Sequence, residues 1–266
     1  MLKHYVENIL ASLERQEEEL KHQWLRATPV RYFVVDDLLP SDEVNAINAA
    51  FPPIEDMRLM RSLRECKYTS KDMASFDPKI RDVSFAFQDP AVIKLISEIT
   101  GIVNNGGDPS FYAGGISSME YGQFLNPHID NSHDGNRERY RTLNLLFYTT
   151  PDWNEEYGGN LELWDNDVRS RITITSKANR LVVMETNSQS WHSVNPLKVK
   201  LRRNCVSNYY FSTDTPEVHE YFNVTKFSAR PEQKVRRRIM ILDAFIRNSI
   251  RRLVPAGLGK KDINST

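Results

Sequence analysis

The 266 residues include only two cysteines, Cys66 and Cys205. Two thiols cannot staple a chain of this length, so a disulfide scaffold is excluded and reduced thiols in a cytoplasm are expected. Long apolar runs are also missing. None approaches the roughly 20 residues that span a bilayer, and the opening MLKHYVENIL carries Glu7 where a signal peptide needs an unbroken apolar stretch. Net charge is absent too, with 35 Lys and Arg against 35 Asp and Glu, which argues against a general polyanion binder and so against nucleic acid as a partner. What is present is 40% hydrophobic and 10% aromatic content, enough apolar surface that disorder is disfavoured. The neutrality hides an asymmetry. From Lys226 onward eleven basic residues face three acidic ones, a net of +8, which leaves −8 on the first 225 residues.

Periodicity divides the chain. Residues 3 to 25 space Tyr5, Ile9, Leu13 and Leu20 among Glu and Lys, predicting one N-terminal helix. A strand at 32 to 35 and a helix signalled by Ser41 and Glu43, stopped by Pro52, follow. The polar stretch from 58 to 77 reads as loop, and Val92, Ile93, Leu95, Ile96 and Ile99 then mark a packing helix closed by Gly101. From about 110, short segments rich in Tyr, Phe, Val, Thr and Leu alternate with Gly, Asn, Asp and Pro, the pattern of a sandwich or barrel. Strands are expected at 111–121, 141–150, 160–165, 170–175, 180–186 and 202–212. Past Pro231, Val235, Ile239, Leu242, Ile246, Ile250 and Leu253 form one stripe of a basic amphipathic helix. The expected organisation is 1–109 as helices and strands packing on the core, 110–225 as the core, and 226–266 as the basic helix, all in one structural domain. The helix stripe is expected to pack on the core. A membrane-surface contact through 232–253 is the alternative, and a homodimer contact through the N-terminal helix is a further one.

The chemistry-bearing residues begin with PHIDN. On a strand, residues two apart share a face, so the His128 imidazole and the Asp130 carboxylate can converge on one ion. A second histidine, His192, directly follows the apolar segment RLVVMET. Two His and one carboxylate suit non-haem Fe(II) with open coordination positions, whereas structural zinc wants four ligands and usually cysteine. His4, His22, His133 and His219 sit in polar surroundings and read as solvated or locally hydrogen-bonded. In RNCVSNYYF a strand would place Arg203, Cys205, Ser207 and Tyr209 on one face, sending a guanidinium inward to meet an anionic ligand. The bland reading leaves Arg202 and Arg203 as surface charges on an edge strand.

Together, His128-Ile-Asp130, His192 and Arg203 resemble the HxD…H…R pattern of the Fe(II)/2-oxoglutarate-dependent dioxygenase superfamily, in its prolyl 4-hydroxylase-like branch. The resemblance runs from about Tyr121 to Phe211 through YGQFLNPHIDN, YRTLNLLFYTTPDWNEEYGGNLELWD and RNCVSNYYF. It implies a mostly β fold with flanking helices around a double-stranded β-helix, and iron held by His128, Asp130 and His192. It also implies Arg203 on the distal carboxylate of 2-oxoglutarate, with the Tyr148 hydroxyl beside it and Asn144, Leu161, Val194, Ser207 and Tyr209 lining the pocket. Spacing from His192 alone would select Arg202 as well. Arg203 is preferred because it stands six residues before the paired aromatics, as in the family. The implied co-substrates are 2-oxoglutarate and O2, with ascorbate as an accompanying reductant.

Three functions compete on this basis: hydroxylation of a small molecule or biosynthetic intermediate, a peptidyl-prolyl or other protein hydroxylase, and a non-catalytic cupin-like binding protein. The first is preferred because no separate peptide-binding module is evident. Substrate-selecting residues are expected on loops around 58–77, 131–140 and 212–225.

Overall fold

The computed structural model describes residues 1–70, 72, 74–112 and 114–233. The basic helix expected over 235–253 lies outside them. In place of a single N-terminal helix there are two, α1 (Leu2–Arg15) and α2 (Glu17–Arg26). The break has a local cause. The Gln16 N–H turns to the Leu13 carbonyl at 3.1 Å, and the Gln16 side-chain amide takes the Ser12 carbonyl that would have received it, also at 3.1 Å. Both helices still bury the expected stripe, Tyr5, Ile9 and Leu13 on α1 and Leu20 and Trp24 on α2.

β1 (Tyr32–Asp36) and α3 (Ser41–Ala49) follow as expected, although no side chain caps α3. The stretch read as loop is instead a hairpin, β2 (Arg58–Arg61) and β3 (Glu65–Ser70), with Arg58 opposite Thr69 and Arg61 opposite Cys66. Leu59 and Met60 are adjacent and fall on opposite faces among charged neighbours, so no alternation marks it as a strand. α4 (Pro78–Ala86), also unforeseen, and α5 (Pro90–Thr100) each begin at an Asp-Pro pair. The carboxylates of Asp77 and Asp89 accept from the N–H groups of Lys79 and Ala91, and proline sits where no N–H is missed.

The remaining strands are β4 (Gly115–Met119), β5 (Phe124–Ile129), β6 (Tyr140–Tyr148), β7 (Leu161–Trp164), β8 (Arg171–Ile174), β9 (Arg180–Glu185), β10 (His192–Val194), β11 (Arg203–Ser212) and β12 (Lys226–Phe227). The strand expected at 111–121 shrinks to β4 because Phe111 adopts a left-handed φ of 47° and a turn over Glu120–Gln123 ends it. β5, β10 and β12 were not among the expected strands, the last two being too short to show a period. β12 also corrects the expectation that helix begins at 226.

Pairing is antiparallel, in the order β1-β9-β6-β11-β4-β3-β5-β10-β7-β8, with β2 added to β3 and β12 to β5. Alternation assigns the two faces. Phe33, Val35, Leu143, Leu145, Phe147, Leu181, Val183, Val206 and Tyr210 pack against the helices in one apolar core that also holds Ile9, Leu13, Ile80 and Ile96. Their neighbours Tyr148, Val182, Met184 and Cys205 turn the other way and pack on Leu161, Leu163 and Ile174 of the short strands. A long sheet backed by helices and faced by a short sheet is the double-stranded β-helix, and each fully buried Leu, Ile, Val or Phe contributes about 1.5 to 3 kcal/mol to it. Among the described residues no helix is long and apolar enough to cross a membrane.

Candidate active site

His128 is the penultimate residue of β5 and His192 opens β10, and the two stand directly opposite each other in the antiparallel ladder. Asp130 follows β5 by one residue. The register brings two imidazoles and a carboxylate, 64 residues apart at their extremes, to one point. His128 Nε2 lies 3.6 Å from Asp130 Oδ1, His192 Nε2 lies 3.8 Å from Asp130 Oδ2, and one ligand atom of each falls within 4.8 Å of the others. Each imidazole is oriented by its other nitrogen: His128 Nδ1 meets the Asn126 carbonyl at 3.1 Å and His192 Nδ1 the Ser190 carbonyl at 2.9 Å. A carbonyl only accepts, so Nδ1 carries the proton and donates to it, which leaves Nε2 with the lone pair that a metal ligand requires.

The electrostatics agree. Burial, reinforced by the neighbouring His128, pushes the His192 imidazole down to about 4, so it is neutral and able to coordinate at physiological pH. Burial alone would raise the Asp130 carboxyl, but Arg141, His128 and His192 outweigh it and hold the group ionised well below the usual carboxylate range.

Arg141, on β6, was not singled out from the sequence. Its guanidinium is buried, places Nη1 3.0 Å from Asp130 Oδ2, donates from Nη2 to Asn131 Oδ1 at 2.8 Å and stacks 4.3 Å from the Tyr209 ring. An arginine heading the otherwise apolar run TLNLLFY was the available signal. The Nη1 approach is not aligned as a hydrogen bond, so Asp130 Oδ2 remains a buried oxygen without a donor. Two imidazole nitrogens with open lone pairs and an unsatisfied carboxylate oxygen fit a divalent metal bound by His128, Asp130 and His192.

The adjacent arginines separate cleanly. Arg202 turns to the helix side, where its Nη2 donates to the Pro52 carbonyl and to Ser118 Oγ, both at 2.8 Å. Arg203 turns between the sheets, 3% exposed, with Nε 3.4 Å from Ser176 Oγ and its guanidinium 4.9 Å from the Tyr148 ring centroid. No carboxylate among the described residues pairs with it. Tyr148 is opposite Cys205 in the β6–β11 ladder and fully buried, its hydroxyl has no aligned hydrogen-bond partner, and burial pushes that hydroxyl up to about 12. Asn144, opposite Tyr209, likewise has an unpartnered Oδ1. A buried arginine without a carboxylate partner and a protonated phenol beside it are donors suited to a bound carboxylate.

Leu161 and Val194 face each other across β7 and β10 on the short sheet, next to His192. Ser207 and Tyr209 line a cavity of about 290 Å3 whose other wall is the β2–β3 hairpin, with Arg58, Glu65, Lys67 and Thr69. Leu161 packs with Tyr148 and Cys205, whereas Val194 packs with Met119, Leu125, Trp153 and Leu197. Of the remaining histidines, His133 is more buried than expected and hydrogen-bonds Ser132 Oγ at 2.7 Å, while His4 pairs with Glu43.

Residues 114–211 match the family model of the 2OG-Fe(II) oxygenase superfamily. No curated protein matches the chain in sequence. Among solved structures, a Pseudomonas putida prolyl-4-hydroxylase is 16% identical, with a TM-score of 0.55 over 73% of this chain and 98% of that one. A Trichoplax adhaerens prolyl hydroxylase, solved with a hypoxia-inducible-factor peptide, is 16% identical with a TM-score of 0.53 over 75% and 92%. The epimerase SnoN of nogalamycin biosynthesis, solved with Fe3+ and α-ketoglutarate, is 15% identical with a TM-score of 0.54 over 82% and 96%.

Proposed function

We propose that this chain is a 2OG-Fe(II) oxygenase, on the match of residues 114–211 to the family model of that superfamily, and that it hydroxylates an unactivated C–H bond of a small molecule at a centre formed by His128, Asp130 and His192. The observation that carries the reading is the convergence of these three side chains within 4.8 Å on one buried point. Iron(II), when bound there, would couple decarboxylation of 2-oxoglutarate to succinate and CO2 with oxygenation of the substrate.

The protein's own part is binding and orientation. Arg203 donates to the distal carboxylate of 2-oxoglutarate in a charge-assisted pair, and the Tyr148 hydroxyl, kept protonated by burial, donates to the same end. Asn144, Leu161, Val194, Ser207 and Tyr209 line the remaining space and exclude water from it. Arg141 neutralises the carboxylate oxygen of Asp130 that faces it, keeping the carboxyl ionised and in place. The cavity of about 290 Å3 beside Ser207 and Tyr209 supports a small polar substrate, since its wall offers Arg58, Lys67, Thr69 and Ser117 to hydrogen-bond a compact molecule.

The test is succinate release by purified protein with Fe(II), 2-oxoglutarate and O2. Turnover should disappear in Asp130→Ala and His192→Ala, and unimpaired turnover in either would reject the assigned centre. Stimulation by small metabolites supports the substrate class; stimulation by proline-containing peptides alone would move the assignment to a peptidyl hydroxylase.

A further inference from the structure

We infer that the segment Asn223–Arg230 is a strap that positions the three metal-site side chains; this rests on the assignment of His128, Asp130 and His192 as ligands. The strap touches the surroundings of each one. Asn223 donates from Nδ2 to the Asp130 carbonyl at 2.8 Å, and its backbone N–H and C=O bond to Ser132 Oγ and Ser132 N at 2.9 and 3.0 Å. Phe227 lies opposite His128 in the β5–β12 ladder, its ring 5.3 Å from the imidazole and 18° from parallel. The Ser228 N–H bonds to the Pro127 carbonyl at 2.8 Å. Arg230, 3% exposed, reaches the strand that carries His192, with Nη2 donating to Ser193 Oγ at 3.3 Å.

The pairing of β5 explains why such support is needed. Its ladder with β10 consists of two pairs separated by an irregularity, and β3 covers only Phe124 and Leu125. The free edge is therefore at Ile129 and His128, the positions β12 pairs with. Without β12 that edge of His128 and Ile129 would have no ladder partner. A strand added where the ligands stand, with a ring stacked on one of them, removes the sliding and ring rotation that would spread the donor atoms.

Arg230 fastens the far end. Its Nη1 lies 2.6 Å from Glu162 Oε2, and Glu162, 1% exposed, also binds Arg171 Nε at 2.8 Å and accepts from Ser193 Oγ at 2.6 Å. Ser193 Oγ in turn accepts from Trp164 Nε1 at 2.8 Å. Glu162 and Ser193 point away from the space that Leu161, Leu163 and His192 face, so the strap grips the outer surface of the ligand-bearing sheet. A buried carboxylate left without its arginine is costly, so the bolt holds only while both partners remain.

The experiment is titration of metal-free protein with Co(II), read by visible absorption, beside circular dichroism and thermal midpoints of the apo forms. Phe227→Leu and Arg230→Met should each weaken Co(II) binding about tenfold or more, the range seen when residues supporting metal ligands are replaced. Phe227→Tyr keeps the ring and should restore parental affinity, and the exposed Lys226→Ala should bind as the parent does. Folded Phe227→Leu with parental Co(II) affinity overturns the strap, as does failure of Phe227→Tyr to restore it. Should Arg230→Met not fold, Phe227→Leu decides alone. His192→Ala separates the two levels: parental affinity in that variant rejects the ligand assignment itself, whereas its loss together with an unaffected Phe227→Leu rejects only the strap.

Discussion

Arg202 and Arg203 are neighbours in sequence and opposites in environment. Strand geometry sends alternate side chains to opposite faces, so one guanidinium ties β11 to the Pro52 carbonyl while the other enters the space beside Tyr148. Their variants should differ accordingly. A charge-assisted hydrogen bond is worth roughly 1.5 to 3 kcal/mol, so Arg203→Ala should raise the KM for 2-oxoglutarate by about tenfold to a hundredfold. Arg202→Ala should leave that KM near the parental value and lower the thermal midpoint. Steady-state kinetics of both variants decide the matter, and the reverse order would mean that Arg202 binds the co-substrate. Arg203→Lys should also be impaired, because a point charge does not reproduce the planar fork. Arg141 belongs at this scale as well: its value lies in one pairing, with Asp130, that no local pattern announces.

At the scale of elements, the short strands that carry the ligands depend on their connections. The turn into β7 passes through Gly158, whose φ of 73° and ψ of −161° are a conformation essentially restricted to glycine. A Cβ built there would sit 2.1 Å from the Pro196 carbonyl oxygen, backbone that cannot step aside easily. Gly158→Ala should therefore destabilise the fold by about 1 to 3 kcal/mol from backbone strain alone, with denaturant unfolding as the measurement. A variant of parental stability would show that the turn can rearrange. The β2–β3 hairpin makes the complementary point. Its polar residues resemble loop until β4 supplies a partner at Tyr68–Ser118 and Thr69–Ser117, and pairing then turns a polar stretch into a cavity wall.

For the whole molecule, stability in acid should follow ion pairs that join distant parts of the chain. Asp36 on β1 meets Arg180 on β9 through two bonds, Nε to Oδ1 at 2.6 Å and Nη2 to Oδ2 at 2.8 Å, and these bonds lower the Asp36 carboxyl despite partial burial. A depressed carboxylate contributes stability above its unfolded value of about 4 and loses that contribution as pH falls through the folded one. The group is partly solvated, so the screened contribution is on the order of 1 kcal/mol. Asp36→Asn should cost about that much at pH 7 and narrow the gap to the parent below pH 4, as followed by thermal unfolding. A gap that widens in acid would contradict the linkage. The sequence by itself marked the β-rich class, the helices α3 and α5, the His128–Asp130 pair and the strand that carries Arg203, because each rests on a period or spacing within a few residues. Only the tertiary structure decided that Arg202 turns to the helix side and Arg203 between the sheets, that Arg141 meets Asp130, that 58–61 and 65–70 are strands, and that β12 pairs with β5. These depend on register between strands far apart in the chain, where the partner that defines each residue's surroundings is supplied by another segment.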